Sequence, residues 1–261
     1  MDLDRYLETA VLAAKKAGLM LVQNIGSEKD ISFKGDVDLV TNFDKRSQDI
    51  IHHTIWDAFP EHDIIAEEGL SKDKGSDFRW VIDPIDGTTN FAHRFPVFCI
   101  SIALEKEGQP LVGAVFDPLR NELFSAKKEG GACLNEKEIK VSDIQELDKS
   151  LLATGFPYDI RESEMNNLDH FSRFAVRCQA IRRCGSAALD LCYVACGRVD
   201  GFWELKLSPW DTSAGALMVQ EAQGYVTDFH NNIFHSSRHQ VLASNGKIHT
   251  QMLEVLKLGN I

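Results

Sequence analysis

The first 25 residues carry apolar side chains at intervals of three and four residues. The stripe comprises Leu3, Leu7, Ala10, Ala14, Ala17, Leu21 and Ile25. Because this spacing places side chains on one face of a helix, the segment is predicted to be amphipathic and helical. Further along, VDLVTNFDKRSQDIIHHTIWDAFP predicts a short strand followed by a second helix. Thr41 and Asp44 have the spacing of a capping box, and Pro60 follows the predicted helix end.

The pattern then changes to short β-rich runs punctuated by Gly, Pro and Asn. These predict strands over residues 63–66, 79–82, 97–104, 111–116 and 122–125. The second half alternates strands near 151–154, 179–182, 201–204, 225–228 and 241–244 with helices. One helix is predicted from about Ser186 to Cys196, ending at Gly197, and another from Asp211 to Gly224. Two sheet-forming blocks with antiparallel content predict an α+β fold.

Length and composition are those of an ordinary globular protein. A chain of 261 residues suits a single domain, 1–261, with two closely packed halves of roughly 1–145 and 146–261. The net charge of −11 argues against a broad surface for nucleic acid or anionic membranes. The six cysteines form no CxxC pair, which favours packed thiols over a zinc site. With no signal-like N-terminus and no membrane-length apolar run, we expect a cytoplasmic protein.

Candidate chemistry centres on WVIDPIDGTTNF, residues 80–91. Apolar residues lead into Asp83, Pro84 fixes the following backbone, and Asp86 is expected to face the same side as Asp83. Gly87 and Thr88 come where a helix could begin, and free N–H groups at a helix start favour a phosphate. Two carboxylates beside an anion-binding backbone make chemical sense if hard cations such as Mg²⁺ lie between them and a phosphate.

Other acids could complete such a site, although each also has a simpler explanation. Glu67 and Glu68 follow an apolar strand and could be a solvated loop pair. Asp211 begins a predicted helix and could be a cap, and Asp44 could be a first-turn acid. The WVIDPIDGTTNF context favours the metal site for the whole set.

These motifs resemble those of the inositol monophosphatase family of Mg²⁺-dependent, lithium-sensitive phosphatases. The resemblance rests on AEEG, WVIDPIDGTTNF and SPWDTSAGALMVQEAQG, and it extends from VDLVTNFD to VLASN near residue 245. It implies a layered αβαβα sandwich of the sugar-phosphatase type, a homodimer, and two to three Mg²⁺ ions in each active site.

Carried over residue by residue, the resemblance assigns three sets of roles. The metal ligands would be Glu67, Asp83, the Ile85 carbonyl, Asp86 and Asp211. The catalytic residues would be Asp44, Thr88 and Glu67: Asp44 and Thr88 would orient the attacking water, and Glu67 would hold a metal ion. The substrate contacts would be Asp86, Gly87, Thr88, Arg182, Gly185, Ala187, Glu204 and Asp211. The family's loop lysine corresponds to Lys34 with a spacing about one residue short, so a solvated lysine explains Lys34 equally well.

The motif set indicates the reaction better than the substrate. Fructose-1,6-bisphosphatases and 3′-phosphonucleotide phosphatases share variants of it, and NADP is a further candidate substrate. The short segment 68–82 leaves little room for a nucleotide-binding insertion, and Glu204 suits ring hydroxyls. Glu204 could instead be a surface acid, and Arg182 a structural or interface arginine. The sequence therefore predicts hydrolysis of a small phosphate monoester, with myo-inositol 1-phosphate as the first choice.

A second class of function stays open. Some bacterial members of this family are thought to act also as non-catalytic partners of the transcription machinery. A local basic cluster in this acidic chain, comprising Arg173, Arg177, Arg182 and Arg183, is compatible with RNA or protein binding. A few arginines beside a dimer interface would give the same pattern.

Overall fold

The computed structural model describes residues 2–27, 31–33 and 39–258, so Lys34 lies outside the described residues. Its helices are α1 (Leu3–Asn24), α2 (Asn42–Ala58), α3 (Thr88–Ala92), α4 (Leu168–Ala175), α5 (Ala187–Ala195), α6 (Pro209–Glu221) and α7 (His249–Leu256). The strands of the first half are β1 (Ile31–Phe33), β2 (Leu39–Thr41), β3 (Asp63–Ala66), β4 (Ser71–Lys72), β5 (Phe78–Asp86), β6 (Cys99–Lys106), β7 (Gln109–Asp117), β8 (Glu122–Lys127), β9 (Ala132–Leu134) and β10 (Lys137–Glu138). Those of the second half are β11 (Leu151–Thr154), β12 (Ala180–Arg182), β13 (Gly201–Leu205), β14 (Tyr225–Thr227) and β15 (Gln240–Ser244).

Two sheets dominate the described part of the chain. The first has eight strands in the order β10-β9-β8-β7-β6-β5-β3-β4, and the second has five in the order β12-β11-β13-β15-β14. β1 and β2 form a separate antiparallel ribbon. Most pairs of the large sheet are antiparallel, but β3 and β5 run parallel. The exception matters because it brings the ends of β3 and β5 to the same edge.

Helices cover both sheets and separate them. α1 and α2 pack on one face of the large sheet, where Ala10, Ala14 and Leu21 of the predicted stripe are buried. α5 and α6 fill the space between the two sheets, and α7 packs on the far side of the small sheet beside α4. The arrangement is helix, sheet, helix, sheet, helix, which confirms the predicted layered sandwich. The division into two packed halves near residue 145 stays a prediction.

The structure corrects several element boundaries. β5 continues through Pro84 to Asp86, whereas the sequence placed the strand end at Asp83. α6 begins at Pro209, not at Asp211, because Ser208 is the N-cap and a proline suits the first helical position. The left-handed residue after α6 is Gln223, not the predicted Gly224. β4, β9, β10, α4 and α7 were not predicted, since short edge strands and short helices give weak periodicity.

The cysteines and the apolar segments agree with the sequence-based expectations. All six cysteines are free thiols. Within the described ranges, none of the helices combines the length and the apolarity needed to cross a bilayer.

Close packing between α5 and α6 depends on a residue without a side chain. A Cβ atom on Gly215 would lie 2.6 Å from the Cβ of Leu191, which is fully buried. We expect Gly215→Ala to lower the free energy of unfolding by roughly 1–2 kcal/mol, because overpacking outweighs the gain in helix propensity. Gly26→Ala is the matched control, since no heavy atom lies within 4 Å of its added Cβ. Urea unfolding measures the stability of both variants. If Gly215→Ala unfolded at the same urea concentration as wild type, the packing argument would be contradicted.

Candidate active site

A β-bulge brings Asp83 and Asp86 to the same face of the large sheet. Residues three apart in a regular strand point to opposite faces. Here Asp83 pairs with Ser101 of β6 and Asp86 pairs with Cys99, so β5 has one more residue than its partner between the two pairs. The Ser47 hydroxyl donates to the Pro84 carbonyl at 2.8 Å and fixes the bulge from α2. Backbone geometry thus accounts for the DPID spacing.

Glu67 reaches the same place through the parallel pairing of β3 with β5. Ala66 pairs with Ile82, and the Glu67 amide donates to the Ile82 carbonyl at 3.2 Å. The next residue on β5 is Asp83, and the two carboxyl groups share a hydrogen bond. The apolar run before Glu67 indicated a strand, but its partner strand was not visible in the sequence.

Asp211 comes from the other half of the chain. It is the third residue of α6, where its carboxylate accepts from the Ser208 amide at 2.6 Å and closes a capping box. One carboxylate oxygen each from Asp83, Asp86 and Asp211 lie within 4.8 Å of one another. Ser208 is the N-cap, so the simpler explanation of Asp211 as the cap is wrong. Asp211 is instead the N3 residue of the capping box and a member of the acidic cluster.

The carboxylates of this cluster destabilise one another when all are ionised. Burial, with the charges of Glu67, Asp86 and Asp211, raises the pKa of Asp83 well above its ordinary value. Burial and the neighbouring acids likewise raise the pKa of Asp211. Burial also raises the pKa of Asp86, although hydrogen bonds from the Ser186 hydroxyl (2.6 Å) and the Ala188 amide (2.7 Å) oppose the shift.

The donor set fits a hard divalent cation. Carboxylate and carbonyl oxygens are the ligands that Mg²⁺ prefers, and a cation among them would relieve the repulsion. The Ile85 carbonyl lies inside the bulge, beside the cluster, and faces the Thr88 hydroxyl at 2.9 Å. Glu67, Asp83, Ile85, Asp86 and Asp211 are all in positions compatible with the predicted metal site, and their roles as ligands stay predictions.

Asp44 and Thr88 form a buried pair next to the cluster. The Thr88 hydroxyl lies 2.9 Å from Asp44 Oδ1 and 2.9 Å from the Ile85 carbonyl, so its single proton can serve one acceptor at a time. Asp44 Oδ2 accepts from the amide and the hydroxyl of Thr41 at 2.7 and 2.6 Å, as the predicted capping box requires. Burial raises the pKa of Asp44 to about 6, and the Thr41 hydrogen bonds limit the rise. Asp44 is therefore mostly ionised at neutral pH.

Gly87 and the start of α3 form a backbone cradle beside the acids. Gly87 has a φ of +98°, and a side chain there would collide with the Val97 and Gly185 carbonyls at about 3 Å. Only glycine meets both conditions at low cost. The Asn90 side chain donates to the Val97 and Cys184 carbonyls at 2.7 and 2.9 Å, which holds the cradle against the β12–α5 loop of the second half.

A cavity of about 150 Å³ opens beside the cradle. It is lined by Asp86, Gly87 and Asp211 of the predicted site, together with Gly185, Ala187 and Glu204. These residues, predicted as substrate contacts, therefore share one space. Arg182 does not line this cavity; its guanidinium donates to the Ile181 carbonyl, and the cavity-lining arginine is the next residue, Arg183. The Arg182 contact stays a prediction without support from this geometry.

Glu204 is buried at the cavity wall, so it is not the solvated surface acid of the alternative explanation. Gly155 makes room for its carboxyl group, because a Cβ there would lie 2.2 Å from Glu204 Oε1. Burial, then the charges of Asp190 and Asp86, raise the pKa of Glu204 to about 8, while Arg183 lowers it.

Sequence reasoning missed several residues of the cavity wall. Asp190, on α5, is almost fully buried there, and segment 155–158 and Lys206 also line the cavity. Asp190 lies one helical turn after Ser186 in the motif GSAALD, and this i, i+4 spacing was the signal that could have identified it. Lys206 and segment 155–158 gave no local signal.

The raised pKa of Glu204 predicts how the stability of metal-free protein depends on pH. Between the ordinary carboxyl pKa and about 8, the folded protein holds a proton that the unfolded chain has lost. The free energy of unfolding therefore falls as pH rises through this window, by up to about 1.4 kcal/mol per pH unit for one such group. We expect the melting temperature in chelator to fall from pH 6.5 to 8.5.

Glu204→Gln tests the assignment because it removes the titrating group and keeps the shape. The variant should lose less stability over the same pH range, whereas the exposed control Glu254→Gln should follow wild type. Identical pH profiles for wild type and Glu204→Gln would contradict the assignment.

Comparison with known proteins agrees with the geometry. The sequence profile described as the inositol monophosphatase family matches residues 2–258. An inositol-1-monophosphatase of Synechocystis sp. is 44% identical over 257 residues, covering 98% of this chain and 90% of that protein. The Nus factor SuhB of Vibrio cholerae is 44% identical over 242 residues, covering 92% and 91%.

A solved structure leads to the same family. An inositol monophosphatase from Anabaena (Nostoc) superposes with a TM-score of 0.90 at 42% identity, covering 98% of this chain and 96% of that one. The fold, the acidic cluster and these similarities agree with one another. The chain belongs to the inositol monophosphatase family, whose members are generally metal-dependent, and it is a phosphatase that hydrolyses phosphoric monoesters.

Proposed function

We propose that this protein catalyses the Mg²⁺-dependent hydrolysis of a small polyol monophosphate, with myo-inositol 1-phosphate as the first choice. The observation that carries the proposal is the convergence of Asp83, Asp86 and Asp211 within 4.8 Å, beside the Gly87 cradle and a cavity lined by Glu204. Two to three Mg²⁺ ions would be held by Glu67, Asp83, the Ile85 carbonyl, Asp86 and Asp211. When bound, they would neutralise phosphate charge and make water a better nucleophile.

The protein's own groups position the reactants. The Gly87 and Thr88 amides would donate hydrogen bonds to the phosphate oxygens at the start of α3. Asp44 is ionised at neutral pH and lies behind the Thr88 hydroxyl, so this pair can take up a proton from the attacking water. Glu67 lies on the same side as Asp83 and would help hold that water. Chemically this is positioning and charge neutralisation, with no covalent phosphoenzyme.

The cavity favours a neutral polyol as the group that carries the phosphate. Beyond Asp86 and Asp211, its carboxyl groups are those of Asp190 and Glu204, which provide no positive charge for a second phosphate and repel it once they are ionised. Glu204, with Gly185 and Ala187 beside it, can accept from ring hydroxyls. Fructose 1,6-bisphosphate, NADP and 3′-phosphonucleotides are the alternative substrates, and Arg183 at the cavity edge is the group that would favour them.

A second, non-catalytic role is suggested by the relatives named Nus factor SuhB. Arg177, Arg182 and Arg183 are exposed here, and the exposed apolar side chain of Val176 lies next to Arg177. Arg173, the fourth arginine of the predicted cluster, is buried and does not belong to this surface. If the Asp86→Asn variant still binds RNA or a protein, that result would support a non-catalytic role. If no such binding is found, only the enzymatic function remains.

We further propose a lithium-sensitive homodimer in the cytoplasm, as the family resemblance implies. Phe95, Met165 and Val176 are each more than half exposed, and burying apolar side chains of this kind would favour association with a second copy. Sedimentation at micromolar concentrations measures the oligomeric state.

Asp83→Asn should be the most damaging single substitution in the cluster. Asp83 interacts with Glu67, Asp86 and Asp211, so its loss would remove negative charge from every cation that the cluster would hold. We expect a loss of at least about 1,000-fold in kcat with saturating Mg²⁺, comparable to removal of a central electrostatic group. The measurement is phosphate release from inositol 1-phosphate.

Metal removal and a remote acid provide the controls. Chelator-treated wild type should be inactive and recover with millimolar Mg²⁺, because a carboxylate site with retained waters binds Mg²⁺ modestly. Asp143→Asn, at an exposed ion pair with Lys247, should behave as wild type. Full activity in excess chelator would overturn the metal-dependent mechanism.

Glu204→Gln should change the choice of substrate rather than the chemistry. At pH 8.5, where Glu204 is mostly ionised, we expect about a 10-fold loss in kcat/KM for inositol 1-phosphate, as for one lost charge-assisted hydrogen bond. At pH 6.5 the protonated Glu resembles Gln, so the loss should be smaller. Glycerol 2-phosphate, which lacks the ring, should be affected less at both pH values. Equal losses on both esters would mean that Glu204 supports the fold or the metals instead.

A further inference from the structure

Lys206 combines an unfavourable backbone with a position in the cavity wall. It follows β13 directly and has a φ of +61°, a conformation that lysine rarely adopts. Of the non-glycine residues with positive φ in the described ranges, Lys206 is the one that lines the cavity. Such an outlier persists only where surrounding contacts hold it, and outliers of this kind concentrate at functional sites. The contacts that hold Lys206 are therefore informative.

Those contacts join two neighbouring parts of the cavity wall. The Lys206 ammonium donates to Asp159 Oδ2 at 2.5 Å and to the Ser163 hydroxyl at 2.7 Å. Asp159 and Ser163 lie in segment 155–167, which joins β11 to α4 and which lines the cavity with Gly155, Phe156, Pro157 and Tyr158. The Lys206 side chain thus connects the end of β13 to the segment that follows the neighbouring strand β11.

Segment 155–167 is held differently at its ends and in its middle. At the base, the Asn167 side chain donates to the Thr154 hydroxyl at 2.9 Å and to the Gly155 carbonyl at 2.6 Å, and it accepts from Trp203 at 2.9 Å. These contacts are buried. The middle is exposed around Tyr158 and Asp159, and Lys206 connects it to the strand that carries Glu204. One wall position therefore depends on a half-exposed ion pair.

We propose that Lys206 is a specificity-determining residue that, by binding Asp159 and Ser163, fixes segment 155–167 at the cavity edge and limits the size of the group that carries the phosphate. This inference rests on the proposed function, since it concerns which phosphate esters enter. Lys206 acts by positioning the wall and touches neither the phosphate nor the metal ligands. We call the contacts of Lys206 with Asp159 and Ser163 the latch. The latch favours a compact polyol over a nucleoside, because a nucleoside needs segment 155–167 to move outwards.

The test measures the hydrolysis of two phosphate esters by variants of Lys206 and of its partner Asp159. Lys206→Gly removes the side chain and adopts the positive φ without cost, and Asp159→Asn removes the charge from the other side. Each should lower the ratio of kcat/KM for inositol 1-phosphate to kcat/KM for adenosine 2′-phosphate by about threefold to fivefold, the range for one partly exposed ion pair. The change should come mainly from KM, and the double variant should lose no more than either single variant.

Two controls separate the latch from other effects. Lys206→Arg should retain most of the wild-type ratio, and Lys247→Met, which removes a surface ion pair remote from the cavity, should leave it unchanged. Hydrogen–deuterium exchange of residues 156–166 should rise in Lys206→Gly and Asp159→Asn, with the melting temperature kept. This readout does not require activity, so it tests the latch even if wild type hydrolyses neither ester, an outcome that would overturn the proposed function alone.

Two outcomes would overturn the latch. An unchanged ratio with unchanged exchange in both variants would show that the ion pair does not position the wall. A ratio that changes in Lys206→Gly but not in Asp159→Asn would mean that Lys206 contacts the substrate directly.

Discussion

Mutual repulsion among buried carboxylates is the constraint on which the rest of this structure depends. Asp83 and Asp86, with Asp211 half-buried beside them, are kept within one small volume although each raises the cost of ionising its neighbours. Packing must supply the free energy that holds them there. This free energy comes from apolar packing in the two cores on either side of the large sheet and from the close contact of α5 with α6. A cation site is a reasonable function for such an arrangement, because a bound cation turns the repulsion into attraction.

The site joins the two halves of the chain. The bulge, Glu67 and the Gly87 cradle belong to the first half, whereas Asp211 and Glu204 belong to the second, and residues of both halves line the cavity. The Asn90 side chain and the hydrogen bonds from Ser186 and Ala188 to Asp86 connect them. A change in the packing of α5 or α6 would therefore move the ligands relative to the cradle. Acids from distant parts of the sequence therefore meet in one cluster.

The acidic cluster and the cavity wall are built from different kinds of structure. The acidic cluster and the Gly87 cradle are fixed by strands, by a short helix and by capping boxes, whereas the cavity wall includes an exposed segment tied by Lys206. Rigid elements suit the chemistry, and a loop wall can vary without disturbing it. Relatives with one family's fold can therefore differ in substrate, as the variety of phosphatases with related motifs implies.

The sequence by itself determined the features that depend on local geometry. The capping box of Thr41 and Asp44 and the helix start after Gly87 are set by residues within a few positions of one another, so their spacing was sufficient. The sequence also placed Asp83 and Asp86 on one side, but it predicted a turn where the structure has a bulge within β5. The motifs also identified the family. The tertiary structure alone decided which distant residues meet: Glu67 with Asp83 through parallel pairing, Glu204 with Gly155, Arg183 rather than Arg182 at the cavity, and Lys206 with Asp159. Such contacts depend on strand order and helix packing, for which a single chain carries no local periodicity or spacing.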